Sequence, residues 1–600
     1  MRSDEVPKHY PKQSVKHQNQ LVFSNKRFRL FSIFLASIAA IVLIRSIYVL
    51  VTPPSAEQLA KISSQQYQRR IAPDIARGTI FDRRRVPLAI TTKKPSIYVN
   101  PRIFNPTKQQ IKVIQDITKL TPTEIRSIKK RQKYFHWLVR RVSKNAAEDL
   151  TKLGVKGLGV THEPYRTYPS QVASQLIGYV GIDNRGLMGI EKVYNDTLDH
   201  KAMTNLISRD AKGRFIYGED NSVKPEELPK NLHLTIDRAI QKISEEALTK
   251  AVKSADAKSG FAVVSDPHTG HILAVANYPS FNPNSSKSIT ANNSRNYAFY
   301  DLIEPGSTIK PFVLAGALEK NSVALSEIID VNNGVLQEDS WRIRDSHPSE
   351  TLSASDVIVH SSNIGIFKIA RKLGPTWLAS LLRDLGIGER AFRLGFAQQA
   401  QGRLTNPEHW RPVRFANISF GQGFLASGLE IVQAYGAIAN GGRLMKPILI
   451  KAIESADSET DTLSTPVTLR RVFSLKTATT MKSVLEKTVL EGSGKRARSQ
   501  LYTTAGKTGT TEKVDPKTKT YSENLRVASF AGFAPVSDPH LVVYVVIDEP
   551  QNKPYYGGVW AAPAFREIVD KTLKYLNVGP DNAINQTTSS MGTLRREEKL

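Results

Sequence analysis

The spacing of apolar residues divides the chain into a membrane-type segment followed by regions of mixed helix and strand pattern. Residues 30–44 form an apolar run without a charged residue, and the apolar stretch continues past Arg45 to Val51. About 20 apolar residues suffice for a helix that spans a bilayer. The pattern predicts a transmembrane anchor over residues 30–51. Arg45 lies near its outer end, where the side chain can reach the headgroups.

The charges before this run predict its orientation. Residues 1–29 carry seven Lys and Arg residues against two acidic residues. Because basic flanks stay in the cytoplasm, we expect residues 1–29 to form a cytoplasmic tail and the rest of the chain to lie outside. A cleaved signal peptide is the alternative. The run is long for a signal peptide, however, and the following "VTPPS" offers no small-x-small cleavage site.

The region from 52 to 230 alternates between short strand patterns and basic helical patterns. A polar helix is predicted over 55–70, strands at "IYVNP" and "HWLVRRV", and an amphipathic helix at "KQQIKVIQDITKL". The polar segment 222–232 carries two prolines and marks a boundary. We therefore expect an α+β domain over 52–230.

Residues 231–578 predict a second and larger α+β domain. "LHLTID" has a strand pattern, and the helix that follows has Asp237 at its N-cap. "GFAVVSDPHTGHILAVANYP" predicts a hairpin. Helical patterns follow around 308–320, 355–373, 376–386 and 428–440, and then two late strands, "ASFAGFAP" and "LVVYVVID", and a closing helix, "APAFREIVDKTLKYL". The polar residues 579–600 predict a disordered tail.

Composition narrows the classes of partner and chemistry. The 600 residues carry 83 − 55 = +28 formal charges and no cysteine. The missing cysteines exclude disulfides, thiolate metal sites and cysteine nucleophiles. The charge suits nucleic acid, an anionic membrane or an acidic polymer, or it is simply a solvated basic surface. A domain outside the cytoplasm argues against nucleic acid.

The segment "EPGSTIKPF" (304–312) contains a candidate nucleophile, Ser307, three residues before Lys310. A serine hydroxyl needs a nearby base, and residues i and i+3 share one face of a helix. The Pro-Gly pair predicts that a helix begins at Ser307, where free N–H groups favour developing negative charge. Lys310 can act as the base only if burial and a second cation lower its pKa. Ser127 and Lys130 have the same spacing, so the spacing alone identifies nothing.

Two further segments complete a candidate constellation. Ser361 and Asn363 stand at a predicted helix start, and "KTGT" places Lys507 as the second cation. Strand alternation puts Lys507 and Gly509 on one face and Thr508 and Thr510 on the other. The glycine is expected to let a substrate approach the backbone closely. Ser-x-x-Lys, Ser-x-Asn and Lys-Thr-Gly, in this order, are the signature of penicillin-binding proteins and class A β-lactamases.

With these motifs the chain resembles the class B penicillin-binding proteins, and among them the division-specific peptidoglycan D,D-transpeptidases. The resemblance extends from the anchor to about residue 578. It includes "RGTIFDR" (77–83), "RTYPSQVASQLIGYVG" (166–181), "GLMGIEKVY" (186–194), "SFGQGFLASGLEIVQAYGAIANGG" (419–442) and "VVIDEPQNKPYYGGVWAAPAF" (545–565). The family usually has glycine at the position of Arg85, which leaves the local turn in question.

The resemblance implies an anchor, an elongated α+β pedestal over 52–230 and a serine β-lactamase-like transpeptidase domain over 231–578, with an antiparallel sheet packed between helices. It implies that Ser307 attacks the penultimate D-Ala of a stem peptide and that Lys310 takes the serine proton. Further implied roles are proton relay by Ser361 and Lys507, donor binding by Asn363, and an oxyanion hole from the N–H groups of Ser307 and Thr510. Thr508 and Thr510, with Gly509 beside them, are expected to bind the terminal carboxylate.

The implied partners are D-Ala-D-Ala stem peptides, β-lactams as covalent inhibitors, and the membrane glycosyltransferase FtsW with other divisome proteins. No cofactor or metal is expected. The alternatives are an elongation-type relative, a serine β-lactamase, for which no deacylating base is evident, and a non-catalytic scaffold or β-lactam sensor.

"DPHTGH" could suggest a metal site, but its histidines are expected to be solvated in a turn. His360, beside Ser361, could touch the cleft, although a simple packing role is expected. Tyr555 and Tyr556 either line the cleft or pack at the sheet edge.

Overall fold

The structure is a computed structural model. It describes residues 22–51, 68–71, 76–199 (except 129 and 132), 205–209, 215–216, 228–455 (except 339) and 460–582 (except 516, 517 and 519). Most of the predicted cytoplasmic tail, nearly all of the predicted polar helix over 55–70 and most of the predicted C-terminal tail lie outside these ranges. The chain forms two compact units, one from residues 1–73 with 202–223 and the other from residues 74–201 with 224–600.

The helices and strands have the following bounds. The α-helices are α1 (Val22–Val51), α2 (Lys108–Thr118), α3 (Pro122–Ile128), α4 (Lys144–Lys152), α5 (Ser174–Ile177), α6 (Gly189–Val193), α7 (Asn195–Leu198), α8 (Arg238–Ser254), α9 (Tyr297–Tyr300), α10 (Lys310–Glu319), α11 (Ala354–Val359), α12 (Asn363–Leu373), α13 (Pro375–Asp384), α14 (Pro412–Ser419), α15 (Gly428–Ala439), α16 (Leu475–Leu490) and α17 (Gly557–Tyr575). The strands are β1 (Gln68–Ile71), β2 (Ile80–Phe81), β3 (Pro87–Val99), β4 (His136–Val139), β5 (Leu158–Thr167), β6 (Asn205–Arg209), β7 (Phe215–Ile216), β8 (Asn231–Leu234), β9 (Ser259–Ser265), β10 (Ile272–Tyr278), β11 (Ile328–Asp330), β12 (Val335–Glu338), β13 (Trp341–Arg344), β14 (Thr351–Ser353), β15 (Arg443–Met445), β16 (Ile450–Glu454), β17 (Thr460–Leu463), β18 (Thr468–Arg471), β19 (Ala505–Val514), β20 (Tyr521–Ala534) and β21 (Leu541–Asp548).

The first unit contains α1 and a three-stranded sheet of order β1-β6-β7. The segment Lys26–Val49 of α1 is long and apolar enough to cross a membrane, by length and composition. The helix begins at Val22, before the predicted start of the anchor at residue 30, and so it includes the basic flank. A helix can extend beyond the hydrocarbon layer because basic side chains are favourable at the interface.

The core of the second unit is a five-stranded antiparallel sheet of order β10-β9-β21-β20-β19. The sheet is covered on both faces, so successive side chains along a strand point alternately into two different hydrophobic cores. Ala262 and Val264 of β9 pack with α8 and α17, whereas Phe261 and Val263 pack with α15 on the other face. This sandwich of helices around a sheet confirms the predicted α+β fold.

A second sheet joins strands that are far apart in sequence. Its order is β17-β16-β8-β2-β3-β4, with β5 also paired to β3, and β2 runs parallel to β8. One end of this sheet carries a separate small core with α2, α3 and α4, which includes Ile97, Ile114 and Leu138. Strands before residue 100 and strands after residue 450 therefore lie in one sheet.

Several local predictions are confirmed. Asp237 caps α8, accepting hydrogen bonds from the N–H groups of Ala239 and Ile240. The predicted hairpin is β9 and β10. The helical pattern over 355–373, in contrast, is two helices, α11 and α12, which are separated at residues 360–362. The predicted domain boundaries remain predictions.

Candidate active site

Ser307 lies in a 3-10 turn, Gly306–Ile309, that continues directly into α10. The predicted helix start is therefore a tighter turn, in which side chains at i and i+3 are aligned. Three hydrogen bonds fix this turn: Gly306 N donates to Gly421 O at 2.9 Å, Thr308 Oγ1 to Pro305 O at 2.7 Å and Tyr435 Oη to Thr308 O at 2.8 Å. Ser307 is half-buried and lines the cleft, so its hydroxyl remains accessible, and Lys310 follows three residues later on the same side of the turn.

Lys310 is completely buried. Its Nζ donates to Ser361 O at 2.6 Å, Ser361 Oγ at 3.3 Å and Asn363 Oδ1 at 2.7 Å. Burial lowers the pKa of Lys310 to about 7, and the charge of Asp345 partly opposes this shift. A lysine with a pKa near 7 is neutral often enough at physiological pH to accept a proton. The expected depression is present, with burial as its main cause.

The hydroxyl of Ser361 contacts both buried lysines. Lys507 Nζ donates to Ser361 Oγ at 2.9 Å and to Thr508 O at 3.1 Å. Burial, and then the charge of Lys310, lowers the pKa of Lys507 well below its ordinary value. Ser361 has φ 63, in the left-handed region that an L-residue adopts at a cost. With this backbone conformation, the carbonyl of Ser361 faces Lys310 and its hydroxyl lies between the two lysines.

Asp345 positions Asn363 and was not found from the sequence. It accepts hydrogen bonds from Ser362 Oγ at 2.5 Å, Asn363 N at 2.5 Å and Ile364 N at 3.0 Å, so it caps the N-terminus of α12. Asn363 Nδ2 also donates to Arg344 O at 2.9 Å. An aspartate in the loop before β14 carries no local signal for this contact, because the two segments meet only in the folded chain.

The "KTGT" segment lies on β19, which pairs with β20. Thr508 and Thr510 line the cavity beside Ser307, as the alternation predicts. Gly509 does not line it. A Cβ there would lie 2.3 Å from Ser529 Oγ and 3.1 Å from Pro305 O. The glycine also lets β19 pack closely against the Ser307 turn, where a Cβ would lie 3.0 Å from Thr308 Cγ2. Its expected role in substrate approach stays a prediction.

A cleft of about 390 Å³ lies over these groups. Its lining includes Ser307, Ser361, Asn363, Thr508 and Thr510, so the structure brings the three predicted segments together, with Lys310 and Lys507 buried beneath. Sequence reasoning missed other lining residues, among them Ser346, His347, Phe420, Gln422, Ser493, Lys495 and Arg496. Phe420 and Gln422 lie in the segment 419–442 that carries the family resemblance, which is a signal that could have found them.

The histidine and tyrosine expectations have mixed outcomes. His360 is exposed and lines the cleft, so the expected packing role is wrong and the alternative, contact with the cleft, is what the structure shows. Tyr556 also lines it and is 54% exposed. His271 is partly buried and does not fit the expected solvated turn, because it leads directly into β10. Among the described residues, no group of three or more His, Asp or Glu could hold a metal ion.

Comparisons with known proteins place the chain in a family. Residues 260–570 match the family described as penicillin-binding protein transpeptidase domain, and residues 74–234 match the penicillin-binding protein dimerisation domain. The chain is 33% identical over 515 residues to the probable peptidoglycan D,D-transpeptidase PbpC of Pseudomonas aeruginosa, covering 85% of this chain and 88% of that protein. It is 30% identical over 580 residues to the peptidoglycan D,D-transpeptidase FtsI of Escherichia coli, covering 95% of each.

A solved structure shows the same fold. The crystal structure of penicillin-binding protein 3 from Mycobacterium tuberculosis, complexed with aztreonam, superposes with a TM-score of 0.66 at 24% identity and covers 84% of this chain and 97% of that chain. The transpeptidase match alone covers more than half of the 600 residues. From the cleft, the fold and these matches together, the chain belongs to the class B penicillin-binding proteins, with a dimerisation domain followed by a penicillin-binding transpeptidase domain.

Proposed function

We propose that this protein is a peptidoglycan D,D-transpeptidase that cross-links stem peptides through an acyl-enzyme on Ser307, and that it acts in septal cell-wall synthesis. One observation carries the chemistry. The hydroxyl of Ser361 lies between two buried lysines with lowered pKa values, and one of them, Lys310, is one turn from the half-buried Ser307. The names of the relatives in Pseudomonas and Escherichia support peptidoglycan as the substrate.

Acylation begins when Ser307 Oγ attacks the carbonyl carbon of the penultimate D-Ala. Neutral Lys310 takes the hydroxyl proton, and the N–H groups of Ser307 and Thr510 stabilise the oxyanion. Each such donor contributes about 2.7–4 kcal/mol in acyl transfer. The C–N bond then breaks. Ser361, with Lys507 behind it, delivers a proton to the leaving nitrogen, so D-Ala departs as a neutral amine and leaves an ester on Ser307.

Substrate contacts follow from the walls of the cleft. Thr508 and Thr510 present hydroxyls to the terminal carboxylate. Asn363 already uses Oδ1 for Lys310 and one Nδ2 proton for Arg344 O, so its second Nδ2 proton is left for the donor peptide. Gly509 contributes through its backbone, by letting β19 lie against Pro305. An amine of a neighbouring stem peptide then attacks the ester, returns the proton to Ser307 and forms the cross-link.

The cellular role rests on the FtsI relatives and on the apolar helix. We propose a single-pass anchor in the bacterial inner membrane, with residues 1–29 in the cytoplasm, the catalytic domain in the periplasm and the protein at the division septum. FtsW and other divisome proteins are the proposed partners. Depletion in the native host tests this role: filamentous cells support septal synthesis, and rounded cells would favour the elongation-type alternative.

β-Lactams, which resemble D-Ala-D-Ala, are proposed to acylate the same serine. The full chain in detergent is incubated with benzylpenicillin, and intact and peptide masses are measured. We expect a single adduct on Ser307 that persists for hours. Ser307→Ala should abolish the adduct, and Lys310→Ala should slow it by at least 100-fold, the loss typical for a general base.

Ser127→Ala is the matched control, because Ser127 and Lys130 have the same spacing outside the cleft. It should leave acylation unchanged. Rapid loss of the adduct with turnover of the drug would support the β-lactamase alternative. An adduct on another residue, or none, would refute the assignment of Ser307.

A further inference from the structure

Glu304 joins the Ser307 turn to a loop and to two strands, although it is not among the residues that line the cleft. Its carboxylate oxygen Oε1 accepts hydrogen bonds from Gly423 N at 2.8 Å and from Tyr521 Oη at 2.9 Å. Its backbone carbonyl accepts a third hydrogen bond, from Thr511 Oγ1 at 3.0 Å. Three separate parts of the chain therefore meet at the residue three positions before the candidate nucleophile.

The loop is formed by residues 420–423, here called the wall loop, because Phe420 and Gln422 line the cleft. Gly421, between these two residues, accepts a hydrogen bond through its O from Gly306 N at 2.9 Å. A Cβ on Gly421 would lie 2.0 Å from Gly306 O, so the two backbones are in direct contact. Together with the bond from the last residue of the loop to the carboxylate, this contact fixes the wall loop against the segment that carries the nucleophile.

The strands β19 and β20 are held to the same residue. Thr511, which donates to the Glu304 carbonyl, directly follows Thr510, which lines the cleft. Tyr521 pairs with Val514 across the hairpin of β19 and β20, and its hydroxyl reaches the Glu304 carboxylate. Burial, and then the charge of Glu304, raises the pKa of Tyr521, so this hydroxyl remains a hydrogen-bond donor.

The Glu304 carboxylate is stabilised by hydrogen bonds and not by a cation. Burial raises its pKa, and the groups that oppose this shift are Gly423 N and the Tyr521 hydroxyl. A carboxylate that is largely removed from water is costly unless its hydrogen bonds are made. Both donors belong to segments that form the cleft or its supporting hairpin. The position of Glu304 and the position of these segments are therefore coupled.

We propose that Glu304 is a positioning residue for acyl transfer, which sets the wall loop and β19 at a fixed spacing from the Ser307 turn, with Tyr521 as the outer partner of its carboxylate. This inference rests on the proposed function. Glu304 acts through the segments that it binds and touches neither substrate nor reacting atoms. Because a displacement of about 1 Å can reduce a rate by roughly 100-fold, loosening this spacing should slow acylation of Ser307.

The test follows acylation of the full chain in detergent by a fluorescent penicillin, with stopped-flow detection. The rate constant is compared for the fraction of the chain that can be acylated, which intact mass gives, so that loss of folded protein does not count as loss of rate. Glu304→Ala should lower this rate constant by about 10- to 100-fold. Glu304→Gln is the rescue variant, because the single oxygen Oε1 accepts both side-chain bonds and an amide keeps one such oxygen. Its rate constant should stay within about threefold of wild type.

Tyr521→Phe removes only the outer hydrogen bond. It should slow acylation by about 2- to 10-fold, the contribution of one hydrogen bond. In the Glu304→Ala background the same change should have no further effect, because Tyr521 acts through Glu304. Tyr134→Phe is the matched control. It removes an exposed hydroxyl that accepts a hydrogen bond from Arg102 at 2.7 Å outside the cleft, and it should leave the rate constant unchanged.

The failures are distinguishable. A wild-type rate constant in Glu304→Ala, even with a smaller acylatable fraction, would show that Glu304 only stabilises the fold and would overturn the inference. Glu304→Gln as slow as Glu304→Ala would overturn it as well, since charge and not hydrogen bonding would then be the cause. An undiminished effect of Tyr521→Phe in the Glu304→Ala background would refute the coupling of the two residues. If benzylpenicillin leaves Ser307 of the wild type unmodified, the proposed function itself fails.

Discussion

At the scale of single residues, burial gives an ordinary lysine its reactivity. A solvated lysine has a pKa near 10.4 and is almost entirely charged at neutral pH. Lys310 is completely buried, and its pKa falls to about 7 even though Asp345 favours the charged form. The sequence indicated the residue and the need for a lowered pKa. It could not show that Lys310 is completely buried, because burial depends on the packing of the whole domain.

The pH dependence of acylation follows from this pKa. Lys310 accepts a proton only when it is neutral, so the rate of acylation by benzylpenicillin should rise with pH, through a midpoint near 7, and level off above it. Below the midpoint the rate should fall tenfold per pH unit. Lys310 and Lys507 interact, so the midpoint belongs to the pair. Stopped-flow measurement with a fluorescent penicillin from pH 5 to 9 checks this.

Asp345→Asn serves as the comparison variant. The charge of Asp345 favours protonated Lys310, so its removal should shift the midpoint to lower pH. A wild-type rate that is constant from pH 5 to 9, or an unshifted midpoint in Asp345→Asn, would contradict the role assigned to burial and charge at Lys310.

Gly509 gives a second prediction for a single residue. In Gly509→Ala the new Cβ would lie 2.3 Å from Ser529 Oγ on β20, so that side chain must rotate, and 3.0 and 3.1 Å from Thr308 Cγ2 and Pro305 O, so the Ser307 turn must shift by a few tenths of an ångström. Overpacking of this kind costs about 1–3 kcal/mol of stability, and we expect acylation to slow by at least tenfold. Gly436→Ala is the matched control, because its nearest heavy atom would be 3.9 Å away. Equal acylation rates in the two variants would contradict the packing role.

At the scale of elements, the sequence correctly predicted those features of helices and strands that depend on local interactions. The cap of α8 and the hairpin of β9 and β10 depend on neighbours in sequence, and both are confirmed. The break between α11 and α12 depends instead on Ser361, whose carbonyl accepts from Lys310, a residue far along the chain. Asp345 and the pairing of β2 with β8 were missed for the same reason, since nothing adjacent in sequence specifies these contacts.

The turn before β3 explains the glycine that the family usually has at residue 85. Arg85 has φ 63, its side chain is 76% exposed, and its ion pair with Glu454 is long at 3.9 Å. An L-residue in the left-handed region costs roughly 1–2 kcal/mol of stability. Glycine avoids this cost, but it also makes the unfolded chain more flexible, which cancels part of the gain in stability. Arg85→Gly should therefore raise the free energy of unfolding by about 0.5–1 kcal/mol, measured by urea denaturation.

Arg85→Ala separates backbone strain from charge. It removes the same ion pair but keeps a Cβ in the left-handed conformation. We expect Arg85→Ala to change stability by less than about 0.5 kcal/mol, as is usual for surface substitutions. If both variants were equally stable, backbone strain at this turn would not be the reason for the glycine.

At the scale of the whole molecule, long-range contacts join the dimerisation and transpeptidase segments. β8 pairs with β2 on one side and with β16 on the other, so one sheet contains strands from both segments. The motif residues Arg77 and Arg166 bind Glu191 at 2.7 and 2.6 Å, and all three side chains are buried. The motif segments outside the cleft therefore have a structural role here, and they stabilise the part of the chain that supports the shared sheet.

Removing Glu191 tests whether these segments unfold together. Glu191→Ala leaves two buried guanidinium groups without their carboxylate, and breaking a buried ion pair in this way costs about 3–5 kcal/mol. Two urea midpoints are measured in this variant, one for the loss of acylation at Ser307 and one for unfolding followed by circular dichroism. If the shared sheet makes the two segments one cooperative unit, both midpoints should fall together. Glu246→Ala, at an exposed position of α8, should change neither midpoint. A lowered circular dichroism midpoint with unchanged loss of acylation would mean that the segments unfold independently, and that the shared sheet does not transmit stability to the active site.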